Sequence, residues 1–302
     1  MKISEKKIAP LYVLMAAICW STCGVLIKLS TWNGLSIAVY RGIITFIIYW
    51  IMLGRKRIRI NKIKIAIAFC FFMQSVLYMC ANKFTTAGSV TALQNTSPIY
   101  IIACNSFMTK RKPPRRDILA CILLIIGIFM TVMGGNKSAN ILGDVLALAS
   151  GVFYAGVFFF SSISGEDTLE SFLIGNALYF LLLPFFLRDP AVQQSTLFDW
   201  LFPTACSLVC GTIAWLCFRK GIRNCKPLQA NFLSMIEPIL SPVWTFLILG
   251  EQMSSISIKG CILVIVTLIL YNLLSYRGSL IPTFWYRLRR KLFRAVNRQN
   301  VQ

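Results

Sequence analysis

The sequence predicts an all-α integral membrane protein with ten transmembrane helices, built as two inverted five-helix repeats with both termini cytoplasmic. Three observations lead there. Charged residues are few and clustered, the basic ones gather on alternate connections, and the two halves of the chain align on each other when one is shifted. Apolar residues make up 57% of the 302 and charged ones 14%, against about 45–50% and about 25% in soluble domains. Mean hydropathy is +0.70. Between the charge clusters lie apolar runs of roughly 17–25 residues, the length that crosses a bilayer core.

Read between these breaks, the spans are Pro10–Leu29, Ser36–Leu53, Ile63–Ala81, Ala87–Met108, Ile118–Met133, Leu142–Ser162, Ser171–Leu187, Trp200–Phe218, Leu228–Leu249 and Ser257–Tyr276. The runs do not alternate apolar with polar residues, as a membrane β-barrel requires. Helices satisfy their own backbone inside lipid. The leading segment carries Lys2, Lys6 and Lys7 but no small-residue cleavage site, so it reads as the start of the first span rather than a signal peptide.

Charge tests the count. Lys and Arg favour cytoplasmic loops. With the N-terminus inside, the inner connections hold Arg55–Lys64, Lys110–Arg116 and Arg219–Lys226, and the tail adds Arg277 to Arg298. The other side receives only Lys83, Lys137, Arg188 and Lys259. A miscounted span would scramble this asymmetry. The net charge of +21 therefore reads as topology and not as a nucleic-acid surface. The segment Phe284–Val296 reads as a basic amphipathic stretch on the anionic inner leaflet. The expected units are residues 1–137, 138–276 and a tail, 277–302.

A shift of 140 residues places Ala81–Lys83 on Gly221–Arg223, Leu93 on Leu233, and Ser97–Ile99 on Glu237–Ile239. With a slightly different shift, Ala16–Trp20 falls on Ser150–Tyr154. An odd number of helices per half turns the second copy upside down. Such opposed copies suit a carrier, because they can exchange conformations and expose one site to either side.

Ala16-Ala-Ile-Cys-Trp20, Arg41, Ala81 through Leu93, Gly143-Asp-Val-Leu-Ala-Leu-Ala149 and Glu237-Pro238 through Leu249-Gly-Glu251 occur in an order and spacing that resembles the drug/metabolite transporter superfamily, in its EamA-type ten-helix members. The resemblance covers nearly the whole chain. It implies a central cavity lined by the first, third, fourth, sixth, eighth and ninth helices. The fifth and tenth would lie at the periphery, supporting the bundle or a homodimer contact. Ser97 stands where that family often has Glu, and Thr109–Arg111 where it often has Gly-Glu, so any acid role rests on the second half.

Polar groups at membrane depth are costly and tend to face a cavity or a partner. Glu237 is the leading candidate, for binding an amino group or for proton coupling. The alternative is a structural or protonated carboxyl. Pro98 and Pro238 occupy corresponding places and mark a helix break or hinge. Gln74, Gln94, Asn95 and Asn231 are candidates to hydrogen-bond a solute, with interhelical bonding as the alternative. Trp20, Tyr78, Tyr154 and Trp215 would supply an aromatic wall, although packing is the default for any single ring. Arg41 could attract an anionic group or snorkel to the headgroups. Trp32, Trp50, Trp200 and Trp285 read as interface anchors. The cysteines read as free thiols packed as small apolar residues, and Cys206 and Cys210, one turn apart, lack histidine or acid partners for a metal.

The expected function is secondary transport of a small organic metabolite (an amino acid or derivative, or an amphiphilic drug-like compound) across the cytoplasmic membrane by alternating access, with proton-coupled efflux as one form. A receptor or scaffold, or a lipid flippase, stays open beside it. No histidine, Walker loop or Gly-x-Ser-x-Gly is present. Neither an enzyme nor a cofactor is expected, and the partners are a small-molecule solute and membrane lipids.

Overall fold

A computed structural model of the protein describes residues 3–54, 60–97, 99–100, 103, 114–133, 140–164, 168–224, 233–234, 236–250 and 253–277. Every regular element among them is helical. Six helices are long and apolar enough to cross a membrane: Ile8–Leu29, Gly34–Leu53, Lys62–Phe84, Ile141–Ser161, Leu169–Leu187 and Leu201–Gly221. Shorter apolar helices cover Asp117–Thr131, Ile236–Leu249 and Ser255–Tyr271. The chain is therefore a multi-pass membrane protein. Pro98, Asn105, Asn231, Cys104, Cys225 and everything after Arg277, including Trp285, lie outside the described residues.

The first crossing is two helices, α1 (Ile3–Ser21) and α2 (Cys23–Leu29), separated at Thr22. The break is made by hydroxyls. Ser21 Oγ donates to the Ile18 carbonyl at 2.7 Å and Thr22 Oγ1 to that of Cys19 at 2.8 Å, a back-bonding that bends helices. The next helix, α3 (Gly34–Leu53), starts on Asn33, whose side chain accepts from Ser36 N–H at 2.8 Å. It ends on Gly54 at φ +60° and ψ −143°, a backbone conformation that only glycine adopts readily. Likewise α4 (Lys62–Phe84) is capped by Asn61 and the short α5 (Ala87–Gln94) by Thr86.

Further along the chain α6 (Arg115–Met133) and α7 (Ile141–Ser164) are regular. The following crossing is composite. It runs from α8 (Leu169–Ala177) through a 3₁₀ turn at Leu178–Leu182 to α9 (Leu183–Leu187), with α10 (Pro190–Gln193) after it. Then α11 (Leu201–Cys206) passes through a π-helical stretch, Ser207–Ile213, into α12 (Ala214–Asn224). The last two are α13 (Ile236–Leu249), stopped by Gly250 at φ +63°, and α14 (Ser255–Arg277).

Packing interleaves the two parts. Helix α4 lies along α7 and α8, α1 along α12 and α13, and α5 between α7 and α13. Helices α6 and α14 pair with each other, largely apart from the main core, over a small cluster of Leu124, Val264 and Leu268. Their outer faces, with Ile125, Phe129, Ile262 and Leu270, are exposed apolar surface, as lipid contact requires. Polar ties fix the ends. Asp189 accepts from Asn33 Nδ2 at 2.6 Å and Ser36 Oγ at 2.5 Å. Near the other end of α3, Lys64 pairs with Glu170 at 2.7 Å. In the loop before α11, Thr196 donates to Asp199 through both N–H and Oγ1, which holds that carboxyl below the usual carboxylate range.

Two sequence expectations change. Trp32 is not an interface anchor: it is fully buried and packs edge-on against Tyr40, Phe186 and Trp200. Nor does Arg41 snorkel; it is buried and bonds the Ser75 hydroxyl. Trp50, by contrast, is 56% exposed.

One close approach sets the seat of α3. A Cβ at Gly42 would lie 2.0 Å from the Tyr179 ring, and that ring is fully buried. Gly42→Ala is therefore expected to lose about 1–3 kcal/mol of stability through overpacking. Gly54→Ala has open space around it, but the backbone there, at φ +60° and ψ −143°, is open essentially to glycine alone, so the change should cost about 1–3 kcal/mol. Thermal unfolding in detergent checks both losses, and a variant as stable as the parent protein would contradict the one assigned to it.

Candidate functional site

The helices that interleave leave a narrow cavity between them. Its wall is built from both parts of the chain. Trp20 comes from α1, Cys23 from α2, Arg41 from α3, Gln74, Ser75, Tyr78 and Met79 from α4, and Gln94 from α5. The later part supplies Tyr154 from α7, Cys210 from the π stretch, Trp215 from α12 and Glu237 from α13.

One side is aromatic. Trp20 and Trp215 meet edge to face with ring centroids 4.9 Å apart. Behind them Phe71, Phe172 and Phe218 pack on Trp215 at 5.1, 4.9 and 6.1 Å. Edge-to-face pairs of this kind fix ring orientation and add about 0.5–1.5 kcal/mol each beyond area burial. The rings are thus held rather than loose.

The rest of the lining is largely polar and incompletely satisfied. Arg41 bonds Ser75, yet its Nε finds no hydrogen-bond partner among the described residues, and neither does Gln74 Oε1. Buried polar groups are normally paired, so two orphans on one wall ask for a ligand or water. Gln94 donates to Ser150 Oγ at 3.3 Å. Tyr78 reaches Thr91 Oγ1 at 3.5 Å, which in turn meets Ser241 Oγ at 3.0 Å. Glu237, 6% exposed, faces the same space. An acid and a guanidinium thus share one aromatic cavity at membrane depth.

Local backbone places these groups. Gly151 lets α7 approach α5 so closely that a Cβ there would lie 2.9 Å from the Gln94 carbonyl, and Tyr154 follows on the next turn. Gly211 does the same for α3: a Cβ would sit 2.9 Å from Arg41 Nε. The π stretch is held by Tyr49, which donates to the Gly211 carbonyl at 3.0 Å, and by Thr212 Oγ1, which donates to that of Ser207 at 3.1 Å.

Of the candidates named from sequence, Trp20, Gln74, Tyr78, Gln94, Tyr154, Trp215 and Glu237 line this cavity. Trp20 and Tyr154, which align across the two halves, both reach it. Asn95 does not line it; it is buried at the end of α5 and its amide donates to the Thr91 carbonyl at 2.9 Å. Pro238 lies in the first turn of α13 as described, and Pro242 is inside that helix, where it cannot donate to a carbonyl one turn back. Asn231 and Pro98 lie outside the described residues. Arg41, read from sequence either as a group that attracts an anion or as a snorkelling one, also lines the cavity. Cys23, Cys210, Ser75 and Met79 are lining residues that sequence reasoning did not select. The two cysteines gave no signal, because a thiol and a small apolar residue look alike in a hydropathy pattern.

Comparison with known proteins agrees with this architecture. The model of the EamA-like transporter family matches residues 7–133 and again 141–273. An uncharacterized transporter of Bacillus subtilis, YcbK, is 22% identical over 285 residues, covering 86% of this chain and 91% of that protein. The riboflavin transporter ImpX of Fusobacterium nucleatum is 23% identical over 285 residues, covering 86% and 95%. A solved crystal structure superposes with a TM-score of 0.59 at 16% identity over 90% of this chain and 98% of that one, which shows a shared fold. With its family model matched twice along almost its full length, the chain belongs to the EamA-like transporter family.

Proposed function

We propose that this membrane transporter is a secondary carrier of a small organic metabolite in the cytoplasmic membrane. It would work by alternating access between two opposed five-helix halves, residues 1–137 and 138–276, ten spans in all with both ends cytoplasmic. The observation that carries the reading is the cavity: one buried space, lined from both halves, that holds Arg41, Glu237 and an aromatic wall. A carrier needs a central site that each half can uncover in turn. The two matches of the family model, 7–133 and 141–273, support the division.

The chemistry of the wall points to solutes with a carboxylate, an amino group and an apolar or flat part: amino acids, their derivatives and amphiphilic aromatic compounds. Arg41 offers donors to a carboxylate, Glu237 accepts from an ammonium, and Trp20 and Trp215 pack on the remainder. ImpX is by name a riboflavin transporter, and a planar solute suits the same aromatic wall. The free space is narrow, so solute entry requires Trp20 and Trp215 to separate and the helices carrying them to move. Glu237 would exchange a proton for the solute, which gives proton-coupled efflux. In this reading Asn231 is a further hydrogen-bonding group for the solute, with Pro98 and Pro238 as hinges.

Proteoliposome flux with a metabolite library tests the whole. Protein-dependent movement of an organic solute is expected; lipid movement without any solute flux would overturn the carrier reading in favour of a flippase. Glu237→Gln should stay folded yet lose the dependence of flux on a pH gradient, and unchanged gradient-driven flux would remove the coupling role. Replacing Arg41 with Gln removes a charge-assisted bond, so apparent affinity for carboxylate-bearing solutes should fall roughly 10–100-fold and that for uncharged ones should not. Competition uptake measures both.

A further inference from the structure

Three thiols cluster beside the cavity. Cys23, Cys206 and Cys210 are buried, and their sulfur atoms all lie within 4.8 Å of one another. Cys23 Sγ and Cys206 Sγ are 3.7 Å apart. They come from distant parts of the chain. Cys23 opens α2 just after the break at Thr22, Cys206 closes α11, and Cys210 sits in the π stretch. Two departures from regular helix therefore converge on one point.

We propose that Cys23, Cys206 and Cys210 form a three-thiolate site for a soft divalent cation of the zinc–cadmium class. Three arguments carry it. The first is distance: with metal–sulfur bonds of about 2.3 Å, three ligands sit roughly 4 Å from each other, so a small rotation of side chains completes the set. The second is ligand type. Thiolates select soft ions, while Mg²⁺ and Ca²⁺ take oxygen ligands.

The third is charge. Binding converts three thiols to thiolates and releases three protons to solvent, leaving M²⁺ with three negative sulfurs and a net charge of −1. The Arg41 guanidinium lines the same cavity as Cys23 and Cys210 and offsets that charge. A monovalent soft ion with three thiolates would leave −1 after Arg41, a costly surplus in a buried site. Gly211 is what admits the arginine, since a Cβ there would lie 2.9 Å from its Nε. Cys23 and Cys210 also line the cavity, so the fourth coordination position opens towards it and takes water or a cavity donor. The sulfurs are otherwise only lightly engaged: Cys210 donates to the Cys19 carbonyl at 3.2 Å and meets Thr22 Oγ1 at 3.8 Å.

The test is cadmium binding to the purified, fully reduced protein in detergent, with a competing chelator. It needs no transport assay, so it stands or falls apart from the carrier reading. One equivalent of Cd²⁺ should bind, produce the ultraviolet thiolate-to-metal absorption and raise the thermal midpoint. Cys206→Ser should weaken it by more than the roughly 10–100-fold that loss of a hydrogen-bond partner behind a ligand costs, whereas Cys121→Ser and Cys261→Ser should leave it unchanged. Cadmium NMR on the unaltered protein counts sulfur ligands directly and keeps the question decidable if a serine variant does not fold; three sulfurs are expected. Absence of stoichiometric binding, fewer than three sulfur ligands, or full binding in the Cys23→Ser/Cys206→Ser/Cys210→Ser triple variant would overturn the site.

Discussion

The structure depends on one constraint: at membrane depth a backbone carbonyl or N–H released from a helix has no water to turn to. At three departures from regular helix, side chains bond the local carbonyls. At Thr22 two hydroxyls turn back onto carbonyls. At the end of α5 Thr96 Oγ1 and Asn95 Nδ2 do so, on Leu93 and Thr91. In the π stretch Ser207, Thr212 and Tyr49 bond carbonyls there or one turn before it. The first and third of these breaks set the cavity wall directly, presenting Cys23 and Cys210 to it. Helical irregularity here is how functional groups are aimed, and the hydroxyls are its condition.

This explains which parts of the molecule were legible in its sequence. Helices could be read because a span needs a long apolar run, and the ends of α3, α4, α7 and α14 fall within a few residues of the boundaries drawn from composition. The breaks could not be read in the same way. Serine and threonine occur throughout the spans, and only packing decides which of them turns back onto a carbonyl. Trp32 misled for a related reason. A tryptophan near a span end usually marks the headgroup level, but the loop after α2 folds inward and the ring meets Tyr40, Phe186 and Trp200 instead. Arg41 was visible as an oddity, yet its burial depends on the absence of a side chain at Gly211 on a helix far along the chain.

The site shows a division of labour between the two parts of the chain. Trp20 and Tyr154, aligned by internal similarity, converge on one cavity from opposite sides. The charges do not match in this way. Glu237 has Ser97 as its counterpart, and Ser97 is buried but does not line the space. Arg41 lies in the first part alone. One aromatic pair is thus shared between the two parts, while the ionisable groups are not, one coming from each part.

Gly211 has a consequence for how such a protein could drift towards a new cargo. The residue bears no side chain and touches no solute, yet its bareness is what allows a guanidinium into the cavity. A one-nucleotide change to alanine would push the arginine stem aside and alter the charge a solute meets, with every ionisable residue still in place. Selectivity in this lineage can therefore be edited from behind the wall, by a mutation that an inspection of cavity-facing residues would pass over.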